Sequence, residues 1–475
     1  RHFFAVVVQL LGLPKQGCAS SGRDPFRSFN QGIIMKKRLF DARLFSQSVL
    51  ALSIAAAGPA VAQVAAPVDS GLEEIVVTAQ HRQESLQDTE ISISAFSADT
   101  LRDLGITNAG EIGNYTPNVT MSPQIGGRSG FSVNIRGVRN GESVITFEPS
   151  VGLYMDGVLI AKNVGSLLDV MDMERIEVLR GPQCTLYGRN TIGGAINVIT
   201  KRPTDEFEGR VEATLGSESQ QDFKGMLNVP LLGTDSPVGS LTLRASAASL
   251  QRDGLYDNDY VNAPQDELQE RDREVGLAHL LWQPTDALDV MYSYDRTEHD
   301  EAPIPMFVTF VNTAVRNPAP NLIAPFLADQ GDRPSSGSFD NDYIGETTVE
   351  GHALHVDFEI CEGLAFSSIS GYREMENAGS GDNDGSPYPL LWTEDYQEND
   401  VLTQEFRLIG EAFDARLDYV LGAFYLDENG DVDQSTYLDE AVARSLPVLR
   451  NVPYRSQTVT DFQTETWALY TQGTY

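Results

Sequence analysis

Three cysteines in 475 residues, Cys18, Cys184 and Cys361, are too few and too scattered for a disulfide framework, and no metal-ligand spacing occurs. A Cys184–Cys361 bridge is open to an exported chain, but nothing in the spacing argues for it, and no cofactor or metal is expected. No run of about 18 or more apolar residues exists, which excludes a helical membrane protein. That absence leaves a β-barrel untouched, because barrel strands alternate lipid-facing and lumen-facing residues and average out like a soluble protein. Basic residues are scarce: 34 Lys+Arg stand against 68 Asp+Glu, a formal charge of −34. Residues 1–62 hold 8 and 2 of these, so the remainder carries 26 against 66, or −40. Such a surface repels phosphates, which argues against nucleic acid as a partner. It attracts cations or cationic ligands, or else serves only to keep a large exterior soluble. The length suits two or three ordinary domains, or one small domain and part of a large barrel.

What is present begins with an export signal. Met35-Lys36-Lys37-Arg38, an apolar run from Val49 to Ala57 and then Ala60-Val61-Ala62 read as residues 35–62 of a signal peptide, with a mature start at Gln63. Residues 1–34 carry no periodic pattern and are expected to lie upstream of the mature protein. Within the next segment, 63–80, Glu73-Glu74-Ile75-Val76-Val77-Thr78-Ala79 places an acidic pair before a β-branched run. A strand on such a tether can satisfy its backbone groups at the edge of another protein's sheet. The alternative is an ordinary first edge strand of the domain that follows.

From 81 to 205 the pattern is α+β. Glu90 to Phe96 alternates as a strand, and Asp99 opens a helix with Leu101, Leu104 and Ile106 as its apolar positions. Val133-Asn134-Ile135-Arg136-Gly137 and Val151 to Val158 are further strands, the second turning through Asp156-Gly157. Met171 to Thr200 then sets Glu177-Val178-Leu179-Arg180 before Gly181-Pro182, and Gly193-Gly194 before the strand Ala195 to Thr200. Gly188 to Gly194 lacks the Lys-Ser/Thr of a phosphate loop.

Beyond 206 the chain reads as hairpins, with ten strands predicted near 207–216, 221–231, 239–251, 273–283, 288–299, 348–360, 364–376, 400–411, 417–429 and 464–475. In one of them Leu354, Val356, Phe358 and Ile360 are predicted to face lipid, and His355, Asp357 and Glu359 the lumen. Links such as 284–286 and 361–363 are short, whereas 252–272, 300–347, 377–399 and 430–463 are long, an asymmetry of outer-membrane barrels that puts the long links outside. Their Tyr256, Tyr260, Tyr388, Trp392 and Tyr396 suit an organic or cationic ligand, or else an aromatic girdle.

The run Met171–Thr200, the IRG at Ile135–Gly137 and the YMDGV at Tyr154–Val158 together resemble the plug domain of TonB-dependent outer-membrane receptors, in the family's order. The resemblance implies a mainly β fold: an α+β plug followed by part of an antiparallel transmembrane β-barrel, about ten strands of an expected 22. Ten strands cannot close around such a plug, so the chain is expected to be a fragment. It implies that Glu73–Ala79 is a TonB box, with TonB, outer-membrane lipid and a small-molecule ligand as partners. It also implies plug-to-wall ion pairs, with partners the sequence does not name, for Arg136, Arg175, Glu177 and Arg180, which are otherwise ordinary solvated strand charges. The short stretch before the box holds no signalling domain, so a plain transporter is expected. One residue departs from the pattern: Cys184 stands where the family has glycine, a strained substitution if φ there is positive. The function implied is energised uptake of a scarce bulky ligand, a ferric siderophore or other iron complex, with cobalamin or a saccharide as alternatives. The rival is a barrel enzyme built on His299-Asp300, but no nucleophile motif accompanies it.

Overall fold

The computed structural model describes residues 76–475 except 79–81, 83, 88, 90, 124–129, 140–143, 166–170, 261–262, 264, 308–335, 338, 340–342, 387, 389, 415 and 440–453. The expected signal peptide, the segment before it, Glu73–Ile75 and Ala79 lie outside the described residues.

Among the described residues, strand β1 (Val76–Val77) pairs only with β2 (Glu84–Ser85) in a two-stranded sheet. Next, β3 (Ile93–Ser97) runs into α1 (Ala98–Asp103), whose first turn is capped by the Ser97 hydroxyl accepting from Thr100 N at 3.3 Å. The helix is shorter than its apolar positions predict, and Leu101 is its buried residue. A small sheet of β4 (Val119–Pro123), β5 (Phe131–Ile135) and β6 (Val138–Arg139) follows. The main sheet is completed by β7 (Val151–Met155), β8 (Val158–Ile160), β9 (Met173–Arg180) and β10 (Gly194–Thr200), in the order β3-β9-β10-β7-β8. Strand β10 runs parallel to β7 and antiparallel to β9.

Both faces of β10 and of β9 from Ile176 to Leu179 are covered. Ile176, Val178, Ile196 and Val198 pack into the plug core with Phe96, Leu101 and Ile112. Leu179 and Ala195 look the other way, joining Tyr154 and Tyr187 against Val401 and Leu426. The glycine pair fixes this meeting. At Gly194 φ is +153°, and a Cβ would sit 2.2 Å from the Leu179 carbonyl oxygen.

The rest forms a meander. Strands β11 (Glu208–Leu215), β12 (Gln221–Leu232) and β13 (Ser240–Arg252) are followed by an outer hairpin, β14 (Tyr256–Asn258) and β15 (Glu267–Leu268). Then come β16 (Arg271–Thr285), β17 (Leu288–Asp300), the short β18 (Ser336–Gly337) beside β14, and β19 (Ile344–Cys361). Strands β20 (Leu364–Asp382), β21 (Leu391–Ala412), β22 (Leu417–Leu438) and β23 (Arg455–Thr474) complete it. The ten long strands make one sheet in sequence order, β11-β12-β13-β16-β17-β19-β20-β21-β22-β23. All ten predicted strands are present.

Their outer ends differ from prediction. Strand β20 continues to Asp382, β21 begins at Leu391, β22 runs to Leu438 and β23 begins at Arg455, so the links expected at 377–399 and 430–463 shrink to 383–390 and 439–454. In these extensions buried Asn377, Asp395 and Gln397 alternate with exposed Glu398 and Asp431. Polar residues on both faces hide the two-residue period that betrays a strand.

Lower down the period is plain. Leu288, Phe358, Phe366, Leu408 and Leu421 stand in register across five strands. Outward residues of β19 from Ile360 to His352 span about 26 Å at the usual rise, close to the ~25 Å apolar band of such barrels. Tyr292 and Tyr294 end the band, opposite Leu354 and His352. Strands β21 and β22, of 22 residues each, reach about 70 Å and so project far beyond it.

Candidate functional site

Thr78 immediately follows β1, and the structure shows how that segment is held. The Thr78 amide donates to Glu177 Oε1 at 2.9 Å, and the hydroxyl lies 3.3 Å from the same oxygen. Glu177 is fully buried and also accepts from Arg175 Nε at 2.8 Å, while Arg175 Nη2 donates to Thr78 Oγ1 at 3.0 Å. A buried carboxylate needs such donors, and the N-terminal segment supplies two of them. Four residues later, Arg82 pairs with Asp418 of β22 at 3.1 Å and donates to Thr474 of β23 at 3.4 Å. Thr78 and Arg82 both line a cavity of about 660 Å³ between plug and wall, shared with Tyr154, Tyr187, His355 and Arg407. Burial raises the Tyr154 hydroxyl well above the usual range, and it donates to the Tyr187 carbonyl at 2.6 Å.

The seam itself is polar. Asp172 of the plug accepts from Arg244 of β13 through both oxygens, at 2.6 and 2.7 Å, and from Ser246 at 3.0 Å. Arg202 reaches Asp289 of β17 at 2.9 Å. The Asp156-Gly157 turn, with φ of 49° and 82°, is gripped by two wall histidines. His355 Nε2 donates to the Asp156 carbonyl at 2.7 Å. His279 Nε2 lies 3.0 Å from Thr200 Oγ1, which donates to Asp156 Oδ2 at 2.7 Å. Higher up, Lys162 Nζ bridges Glu148 at 3.3 Å and Glu428 of β22 at 3.1 Å, and Gln397 Oε1 takes the Ile145 amide at 2.9 Å. Wall glycines make the close approach possible: a Cβ on Gly371 would lie 2.5 Å from Val158 Cγ1.

These links are made by residues other than those the family resemblance named. Arg175 and Glu177 hold each other and Thr78. Arg180 donates to the Pro117 carbonyl at 3.4 Å, and its own amide to Ser92. Arg136 sits exposed with φ 53° and its guanidinium 3.0 Å from where a Cβ of Gly181 would lie. Among the described residues none of the four has a hydrogen bond or ion pair to the wall; Arg175, Glu177 and Arg180 brace the plug and its leading strand instead. Local sequence held no signal for the real partners, because Asp172, Lys162, Arg202 and Asp156 meet strands 72 to 266 residues away only after folding.

Two further expectations are corrected. Cys184 is not among the residues with positive φ, so the strain expected there is absent; it and Cys361 are free, exposed thiols. Trp392 and Tyr396 lie on β21, on the face opposite to buried Asp395 and Gln397, with Trp392 stacked on Tyr437 at 4.9 Å. They therefore do not look into the lumen. Tyr256 packs beside Phe307 in an outer cluster with Leu268, Phe339 and Tyr343.

A plug braced by its own charges and joined by a polar seam to a lipid-banded antiparallel wall defines the class: a plug domain with part of an outer-membrane β-barrel. Comparison with known proteins gives the family. The TonB-dependent receptor plug domain matches residues 85–195. The pesticin receptor of Yersinia pestis is 30% identical over 176 residues, 36% of this chain and 25% of that protein. The ferripyoverdine receptor of Pseudomonas aeruginosa is 30% identical over 189 residues, 38% of this chain and 21% of that protein. In structure, the chain is similar to the ferric yersiniabactin uptake receptor FyuA of Yersinia pestis, with TM-score 0.55 and 18% identity over 81% of this chain and 62% of that one. The receptor in the FpvAI–pyocin S2 complex gives TM-score 0.62 and 18% identity over 84% and 50%. The chain thus spans about a quarter of the length of the curated relatives it matches. Its residues 85–195 are thus a plug domain of the TonB-dependent receptor type.

Proposed function

We propose that this protein takes up a scarce, bulky ligand, a ferric siderophore or another iron complex, with TonB pulling on Glu73–Ala79 to displace the plug. One observation carries the reading: the strand just before Thr78 is no part of the plug's main sheet, and Thr78 is tied to that sheet through the side chains of Glu177 and Arg175. Such a strand can be exchanged to another protein's sheet edge without dismantling the plug core. Support for iron comes from relatives whose names are those of ferripyoverdine, ferrioxamine and ferric yersiniabactin receptors. The polar seam supports a plug that parts from the wall, since ion pairs and hydrogen bonds can be re-solvated as the seam opens. No chemistry on the ligand is required. His299, the rival's candidate, is buried with both ring nitrogens unpartnered.

The test is deletion of Glu73–Ala79 in cells. Energised uptake of a ferric chelate is expected to cease while binding at the cell surface persists; uptake that continues would sink the TonB reading. A ligand panel of ferric chelates, cobalamin and oligosaccharides decides the substrate class.

A further inference from the structure

We propose that Arg189 is a two-position residue, held now by the plug's Glu148 and poised to pass to the wall's Glu428 when the charge of Glu148 is withdrawn. Arg189 Nη2 pairs closely with Glu148 Oε1 and stands 3.9 Å from Glu428 Oε2. The Glu428 side chain is 1% exposed. Its Oε1 receives Lys162 at 3.1 Å and Asn399 at 3.3 Å, whereas its Oε2 is buried with no hydrogen bond. A buried carboxylate oxygen lacking a donor is costly, and the nearest guanidinium is occupied elsewhere. Glu148 is the opposite case, with 40% of its side chain exposed and with Lys162 and Asn190, at 2.5 Å, as further partners. It can leave Arg189 at little loss; Glu428 cannot reach out. Arg189 Nη1 already touches Thr466 of β23 at 3.4 Å, so a movement of about 1 Å brings the guanidinium into hydrogen-bond range of Glu428.

The consequence is regulation of the seam. With Glu148 engaged, Arg189 is spent largely inside the plug. With Glu148 neutralised or drawn off by a cationic group, the same guanidinium binds plug to wall at β22. This inference rests on the uptake reading for its purpose but not for its test.

A double-mutant cycle on the full chain in lipid nanodiscs measures it. Arg189→Met and Glu428→Gln are combined, and the exchange rate of the β10 amides reports plug opening. The cycle is then repeated with Glu148→Gln. Coupling between Arg189 and Glu428 is expected to be small with Glu148 present and to grow by about tenfold in rate in the Glu148→Gln background. Equal coupling in both backgrounds overturns the proposal. Should Glu428→Gln fail to fold, Arg189→Lys with Glu428→Asp runs the same cycle with the same two outcomes. Neither TonB nor ligand enters the measurement, so its failure leaves the uptake reading standing, and failed uptake leaves it intact.

Discussion

The plug and the wall are both mainly β, yet they are specified in opposite ways. The wall repeats one rule: alternate residues face outward and each strand pairs with the next. The plug breaks that rule, burying β10 and the Ile176 to Leu179 part of β9 on both sides and placing β10 parallel to β7, so it depends on single residues at single places. A wall tolerates many outward substitutions, while a plug of this kind fails at one glycine. Between them lies a seam of charges and hydroxyls, stable enough to hold and polar enough to part.

The largest break of this contrast is expected at Gly194. Replacement by valine puts a Cβ against the Leu179 carbonyl at a φ of +153°, and strain plus overlap should cost about 4 kcal/mol. Denaturant unfolding followed by a plug probe should show the plug lost while the wall strands persist; simultaneous loss would mean the two are one cooperative unit. Next comes Asp172→Ala, which leaves Arg244, whose side chain is 3% exposed, with Glu208 alone. Breaking such a buried pair should loosen the plug by about 3 kcal/mol, read as faster exchange in β9 and β10.

A smaller effect is set by pH. Burial alone would raise the Glu148 carboxyl, but Lys162, the hydrogen bond from Asn190 and Arg189 outweigh it and hold it below its ordinary value of 4.5. A lowered folded pKa contributes stability above the unfolded value, and that contribution is lost as pH falls through the folded one. Plug stability in wild type should therefore decline below about pH 4.5, and Glu148→Gln should remove that part of the decline. The smallest expected change is Trp392→Ala, on an outward face, at about 1 kcal/mol of sheet stability. Ligand affinity should be unchanged. A marked loss of binding would return this side of β21 to the ligand site.

How much was legible follows from the same contrast. The ten wall strands could be read because lipid forces an apolar residue at every second place, as in Leu354, Val356 and Phe358, and short links marked the inner turns. The outer extensions could not, since Asp395, Gln397 and Glu398 are polar on both faces and their burial depends on what the plug presents. The plug could be located from its turns and glycines, and the motif charges Arg175, Glu177 and Arg180 stand out in the sequence, but their hydrogen-bond partners within the plug do not.

By itself, the sequence determined the kind of fold: a plug by the run Met171–Thr200, a wall by alternation. Those are local properties, written in steric needs of one turn or the two-residue period of one strand. Only the tertiary structure decided who meets whom: Thr78 on Glu177, Asp172 on Arg244, Lys162 on Glu428, His355 on Asp156. The physical reason is that a charge declares what it needs but not where the need is met. Partners far apart along the chain are chosen by the packing that brings a closed domain against a curved sheet.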